Sequence, residues 1–336
     1  MEHDEWIDGA LLKHQRLTQS VVAIIKALLV AKGIPYLAVD GRTKNKEGIK
    51  DKIKRKAYKS PERQVTDITG VRVILYFESD VQKVSSLLES CFKIDKDNSL
   101  DKGSLLSVDK IGYRSVHYVC DIGVERSKLP EFESLAGLKF EVQVRTVLQH
   151  AWAEIAHDRN YKFSGKLPDE MARELYLYAG LLEVADKGFD KLSKEIDAYG
   201  DVVKQADELV SDSIPVDSIS LSNYVVRWGE RNNFPLDVPT DKDNYGELVR
   251  ELDEFGIKTL GQLEQIIPAD FSDRAKKYDD YLSIHGCVRS WMLIHDWRRF
   301  LERVEFNWMI YSDAQTIESY LPEEELEEFR HSFGPK

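Results

Sequence analysis

The side chains best suited to phosphate chemistry cluster in four short stretches of the first half of the chain. Gly41-Arg42-Thr43-Lys44, continuing through Gly48, Ile49 and Lys52, sets a glycine and then cations where a strand is expected to turn into a helix. Backbone N–H groups and cationic side chains can converge on an anion at such a turn. From Arg42 to Arg63 there are ten basic and three acidic residues, although a solvated helix face would read the same way. In Val65-Thr-Asp67-Ile-Thr-Gly70-Val-Arg72, Asp67 at a strand mouth can hold a metal ion or simply cap a turn. Glu141, in Phe140-Glu-Val-Gln-Val-Arg-Thr146, is the natural second carboxylate, because Mg²⁺ is commonly held by one or two carboxylates together with substrate phosphates. An ion pair with Arg145 or an exposed sheet face are its other readings. Gly112-Tyr113-Arg114-Ser115-Val116-His117 offers an aromatic ring to a base or to the core. A helix then follows with His150, Trp152, Glu154, His157, Tyr161 and Lys162. His150 and His157 share a face two turns apart, and no H-E-x-x-H zinc spacing occurs.

Taken in this order, the stretches resemble the synthetase domain of the RelA/SpoT alarmone enzymes over roughly residues 10–200. The family pattern R-x-K-x-x-x-S-I-x-x-K is met by Arg42, Lys44, Ile49 and Lys52, with Gly48 where serine is usual. D-I-x-G-[IV]-R stands intact as Asp67 to Arg72, and G-Y-[RQ]-S-[IV]-H as Gly112 to His117. Glu141 to Thr146 and His150 to Lys162 complete the set.

The resemblance implies a nucleotidyltransferase-like enzyme, a pyrophosphokinase that moves the β,γ-diphosphate of ATP to the 3′-hydroxyl of GDP or GTP and releases AMP. On that basis Arg42, Arg72, Lys44 and Lys52 would bind ATP and neutralise its phosphates. Asp67 and Glu141 would hold Mg²⁺, and Glu141 would also orient or deprotonate the attacking hydroxyl. Tyr113 would stack on the acceptor base, with His117, Gln143, Arg145 and His150 beside it. A toxic branch of the family modifies the 3′-end of tRNA instead, and a non-catalytic nucleotide- or RNA-binding module is a third reading. The long members' hydrolase motif is represented only by His295-Asp296 inside a Trp-rich helix, where a structural role is expected.

The elements that must position these groups follow from periodicity. Apolar residues at helical spacing over 8–31 precede a strand at 36–40, a polar helix at 48–59 and a buried strand at 71–77. A helix at 79–92, a polar loop at 93–110, strands at 113–122 and 138–146, and helices at 146–161 and 168–198 complete the first half. The expected fold class is α/β (α+β): a mixed sheet of about five strands flanked by helices over residues 1–199. A mainly helical domain is expected over 200–336, with a loop at 211–222 and a last long helix from Tyr281 to about Ile310.

The 336 residues suit two domains, and 42% hydrophobic with 32% charged residues excludes a disordered, collagen-like or membrane-spanning chain. Net charge is −12 overall, but residues 1–199 carry +1 and residues 200–336 carry −13. That split points to an anion site in the first half and an acidic second domain. The resemblance to the toxic branch, where fused second domains restrain the enzyme, implies that residues 200–336 could do the same until a protein trigger releases them, with Tyr278-Asp-Asp-Tyr281 either a nucleotide-site element or a helix surface. An acidic N-terminus, no apolar run long enough for a bilayer and three scattered cysteines lead to the expectation of a cytoplasmic protein without membrane contact. Assembly through terminal helices is open.

Overall fold

Leucine, valine and isoleucine recur every fourth residue at Leu17, Val21, Ile25 and Leu29, and this stripe is the buried face of the first helix, α1 (Asp4–Ala31). The computed structural model describes residues 4–101, 115–162, 168–205, 213–237, 245–278, 282–310 and 314–333. It divides into two units, Met1–Ser193 and Lys194–Lys336.

In the first unit α1 is followed by β1 (Tyr36–Thr43), α2 (Lys46–Lys56), α3 (Pro61–Gln64), β2 (Thr69–Leu75) and α4 (Glu78–Cys91). Short strands β3 (Lys93–Ile94) and β4 (Leu100–Asp101) lie in the stretch expected as loop. Then come β5 (Val116–Asp121), α5 (Val124–Ser127), a 3-10 turn at Glu133–Leu135, β6 (Phe140–Thr146), α6 (Val147–Lys162) and α7 (Asp169–Gln205). The division between units falls inside α7.

The sheet is mixed, in the order β1-β2-β6-β5-β3, with β4 paired to β5; β2 and β6 are parallel and the other pairs antiparallel. Val71, Val73, Leu75, Phe140, Val142 and Val144 point to one face, where they form a single core with α1 and with Val81, Val84 and Leu88 of α4. The opposite face is polar, because strand side chains alternate.

One local expectation changes. Gly41 does not sit in a phosphate-binding turn; it lies within β1, which runs on to Thr43. A methyl group at Gly41 would come within 2.5 Å of Val22 and 2.7 Å of Thr18, so the glycine lets α1 approach the strand. The N-terminus of α2 is satisfied by its own cap, with the Gly48 N–H donating to Asn45 Oδ1 at 2.8 Å.

The second unit contains α8 (Ser218–Arg231), β7 (Leu236–Asp237), α9 (Gly246–Phe255), α10 (Leu260–Gln265), α11 (Phe271–Lys277), β8 (Leu282–Ser283), α12 (Ile284–Arg303), α13 (Ala314–Glu318) and α14 (Glu323–Phe333). The loop expected through 222 ends earlier, because Asp217 and Ser220 form a capping box that starts α8. The last long helix stops at Arg303 and is kinked at Asp296, whose carboxylate accepts the Arg299 N–H at 3.0 Å. His295 lies edge-on to Phe255. The His-Asp pair is thus a helix break with an aromatic contact. This unit has its own core, rich in Trp228, Phe255, Phe271, Trp291 and Phe300. Among the described residues no helix is long and apolar enough to cross a membrane.

Candidate active site

Strand register assembles the polar face. Arg42 pairs with Gly70 and Gly70 with Glu141, forming one row across β1, β2 and β6. The next row runs Asp40, Arg72, Gln143, His117 across β1, β2, β6 and β5. Gly70 contributes no side chain between Arg42 and Glu141, which leaves the floor open. The resulting cleft is lined by Asp40, Arg42, Asp67, Arg72, Glu141 and Gln143 together with the backbone at Gly41 and Gly70.

Asp67 precedes β2 and faces Lys44 and Lys52. Both ammonium groups bind the same oxygen, Oδ2, at 2.5 and 2.6 Å. Burial pushes the Asp67 carboxyl up, but the two lysines more than offset it and leave the group below its usual value. Burial in turn lowers Lys44, and Asp67 only partly restores it. The other oxygen, Oδ1, is buried and has no hydrogen-bond partner among the described residues.

Glu141 has the same division of labour. His117 Nδ1 lies 2.6 Å from Oε1, and Gln143 Nε2 donates to that oxygen at 3.4 Å. Burial raises the Glu141 carboxyl and the His117 hydrogen bond lowers it, with a net position below the ordinary glutamate value. Asp67 is therefore held through one oxygen with the other unpartnered among the described residues, and both hydrogen bonds to Glu141 fall on Oε1. This pattern suits a hard divalent cation completed by phosphate and water, and Asp67 Oδ1 is the unpartnered buried acceptor that such an ion would satisfy. Among the described residues no group of three or more His, Cys, Asp or Glu side chains converges.

Other expected residues take less direct positions. Arg72 reaches Glu154 of α6 at 2.9 Å, and His150 Nδ1 is 3.9 Å from the same carboxylate oxygen, beyond hydrogen-bond range. Arg145 is buried and donates to Gln143 Oε1 at 2.6 Å, and it is not among the residues that line the cleft. Tyr113 lies outside the described residues, as does Tyr281, and so do the side chains of His157, Tyr161 and Lys162. Sequence reasoning misses Asp40, which lines the cleft, and Ser115, whose Oγ is 2.8 Å from His117 Nε2. Strand alternation is the signal for Asp40, two residues before Arg42; Ser115 shows none apart from its spacing to His117.

Residues 41–166 match a family model described as a region found in RelA/SpoT proteins. Two curated proteins of Bacillus subtilis strain 168 align with this part. GTP pyrophosphokinase YwaC is 29% identical over 169 residues, covering 48% of this chain and 76% of its own, and GTP pyrophosphokinase YjbM is 29% identical over 167 residues, covering 48% and 74%. The crystal structure of small alarmone synthetase 1 from Bacillus subtilis superposes with a TM-score of 0.50 at 24% identity, over 58% of this chain and 99% of that one, a likeness of fold.

Proposed function

We propose, because residues 41–166 match a region found in RelA/SpoT proteins, that the chain is an ATP-dependent pyrophosphokinase that makes guanosine tetra- or pentaphosphate from GDP or GTP. The observation that carries this reading is the pair of carboxylates, Asp67 and Glu141, each anchored through one oxygen in a cleft walled by Arg42 and Arg72. In the reaction the acceptor 3′-oxygen attacks the β-phosphorus of ATP. Its proton passes to Glu141, the bond from the β-phosphorus to the α–β bridging oxygen breaks, and AMP leaves with that oxygen. Arg42, Arg72, Lys44 and Lys52 supply fixed positive charge against the phosphates, so the chemistry is mainly positioning and electrostatics. Mg²⁺ bound by Asp67 and Glu141 would mask charge on the transferred group.

A second acceptor, the 3′-end of tRNA, is favoured by one feature of α2 and α3. Lys46 and Lys50 pair with acidic residues of α1, whereas Lys54, Arg55, Lys56, Lys59 and Arg63 are exposed and make no ion pair among the described residues. Such a row of cations suits a nucleic-acid backbone. The charge of −13 over residues 200–336 supports a restraining role for that part. Incubating the full chain with γ-labelled ATP and GDP, GTP or tRNA separates the readings. Label in a guanosine nucleotide is the expected result, label in tRNA alone favours the second acceptor, and label in neither overturns both in favour of a binding module. A chain ending after Gln205 should be more active than the full chain if the second part restrains it; equal activity would sink that idea.

A further inference from the structure

Ser115, His117 and Glu141 form a continuous hydrogen-bonded run across β5 and β6. His117 Nδ1 is 2.6 Å from Glu141 Oε1 and His117 Nε2 is 2.8 Å from Ser115 Oγ. A carboxylate can only accept hydrogen bonds, so Nδ1 must carry the hydrogen. Nε2 faces the Ser115 hydroxyl, which donates to a neutral ring and accepts from a charged one. Ser115 is 2% exposed, and His117 is its only hydrogen-bond partner among the described residues. The order of atoms is that of a serine hydrolase triad, but a hydroxyl this deeply buried cannot reach a substrate. What remains is orientation. With the ring held at both nitrogens, and with Gln143 fixed by Arg145 at 2.6 Å, Oε1 of Glu141 is tied down in a side chain that lines the cleft.

We propose that His117 is a positioning residue that aims Glu141 through the buried Ser115 hydroxyl, and that it does not bind the acceptor. The proposal rests on the pyrophosphate-transfer reading for its consequence, but its geometry can be tested separately. The first readout is the tautomer of His117 in the full chain, taken from long-range proton–nitrogen NMR and assigned by the signal lost in H117N. A ring that carries hydrogen at Nδ1 is expected; a ring bare at Nδ1 would overturn the proposal. The second readout is kinetic. Asparagine places its amide nitrogen near the position of Nδ1, whereas glutamine mimics Nε2. H117N should keep kcat within about ten-fold of the parent, and H117Q and H117A should lose about 100-fold, with KM for the acceptor unchanged within about three-fold in each. A rise in acceptor KM at unchanged kcat, or equal losses in H117N and H117Q, would overturn it. If the parent chain transfers no pyrophosphate, the reaction reading fails while the tautomer still decides the positioning claim.

Discussion

Two ammonium groups share one oxygen of Asp67, and this sets what its replacement should do. An asparagine at this position would keep the shape of the side chain but remove the charge that balances Lys44 and Lys52 and the oxygen offered to a cation. D67N should lower pyrophosphate transfer by at least about 1000-fold, since electrostatic stabilisation of the transferring group is lost. It should also destabilise the fold by about 1–3 kcal/mol, because two partly buried lysines lose their counter-charge. Parallel rate and thermal-melt measurements check both, and a variant that keeps a tenth of the parent rate would remove Asp67 from the machinery. His14 illustrates a different use of a polar residue. Burial holds its ring at a pKa of about 4, and it joins Thr69, Thr18 and Thr43 in a buried hydrogen-bonded group under the ends of β1 and β2. Neither its sequence position nor its type announces that role.

At the scale of elements, α7 is tied to the first unit through two carboxylates. Thr146, the last residue of β6, donates to Asp186 at 2.6 Å, and Asp190 accepts the Ser79 N–H at the start of α4. Asp186 is 4% exposed, and burial, with Glu78 and Asp190 nearby, pushes its carboxyl up to about 6. A raised folded-state value means the protonated form is favoured by folding. The stabilisation is complete below about pH 4 and is lost as pH rises through 6. An asparagine in place of Asp186 would mimic the protonated acid and still accept from Thr146. D186N should therefore match the parent near pH 4 and exceed it above pH 7 by up to about 3 kcal/mol, read as a rise of several degrees in Tm by circular dichroism. A gap that does not grow with pH would contradict the assignment. The periodicity of α1 and the alternation of β2 and β6 make these elements legible in the sequence, because each buries one continuous face. The strand at Gly41 reads as a turn because a glycine ahead of cations looks the same whether it admits a phosphate or a neighbouring helix.

At the scale of the molecule, two cores carry different signatures, aliphatic over the sheet and aromatic in the second unit. The second also encloses an ion pair. Glu251 is fully buried, receives two hydrogen bonds from Arg289 at 2.7 and 2.8 Å and one from Trp308 at 2.9 Å, while the guanidinium stacks 4.4 Å from the Trp308 ring. R289M would leave a buried carboxylate without its cation, at a cost of about 3–5 kcal/mol. Four of the six tryptophans lie in this unit, so a fluorescence-monitored melt should show its midpoint fall by roughly 10 °C. An unchanged midpoint would mean that Arg289 contributes nothing net.

The sequence by itself determined most element types, the apolar faces, the uneven charge and the five motifs, because these depend on local spacing and residue chemistry. Only the tertiary structure decided which oxygens of Asp67 and Glu141 are held. It alone also showed that His117 meets Glu141 diagonally between antiparallel strands, and that Arg145 bonds to Gln143 without lining the cleft while Asp40 lines it. Those outcomes depend on strand order and register, which bring together residues from distant parts of the chain, and no local pattern encodes the distance between them.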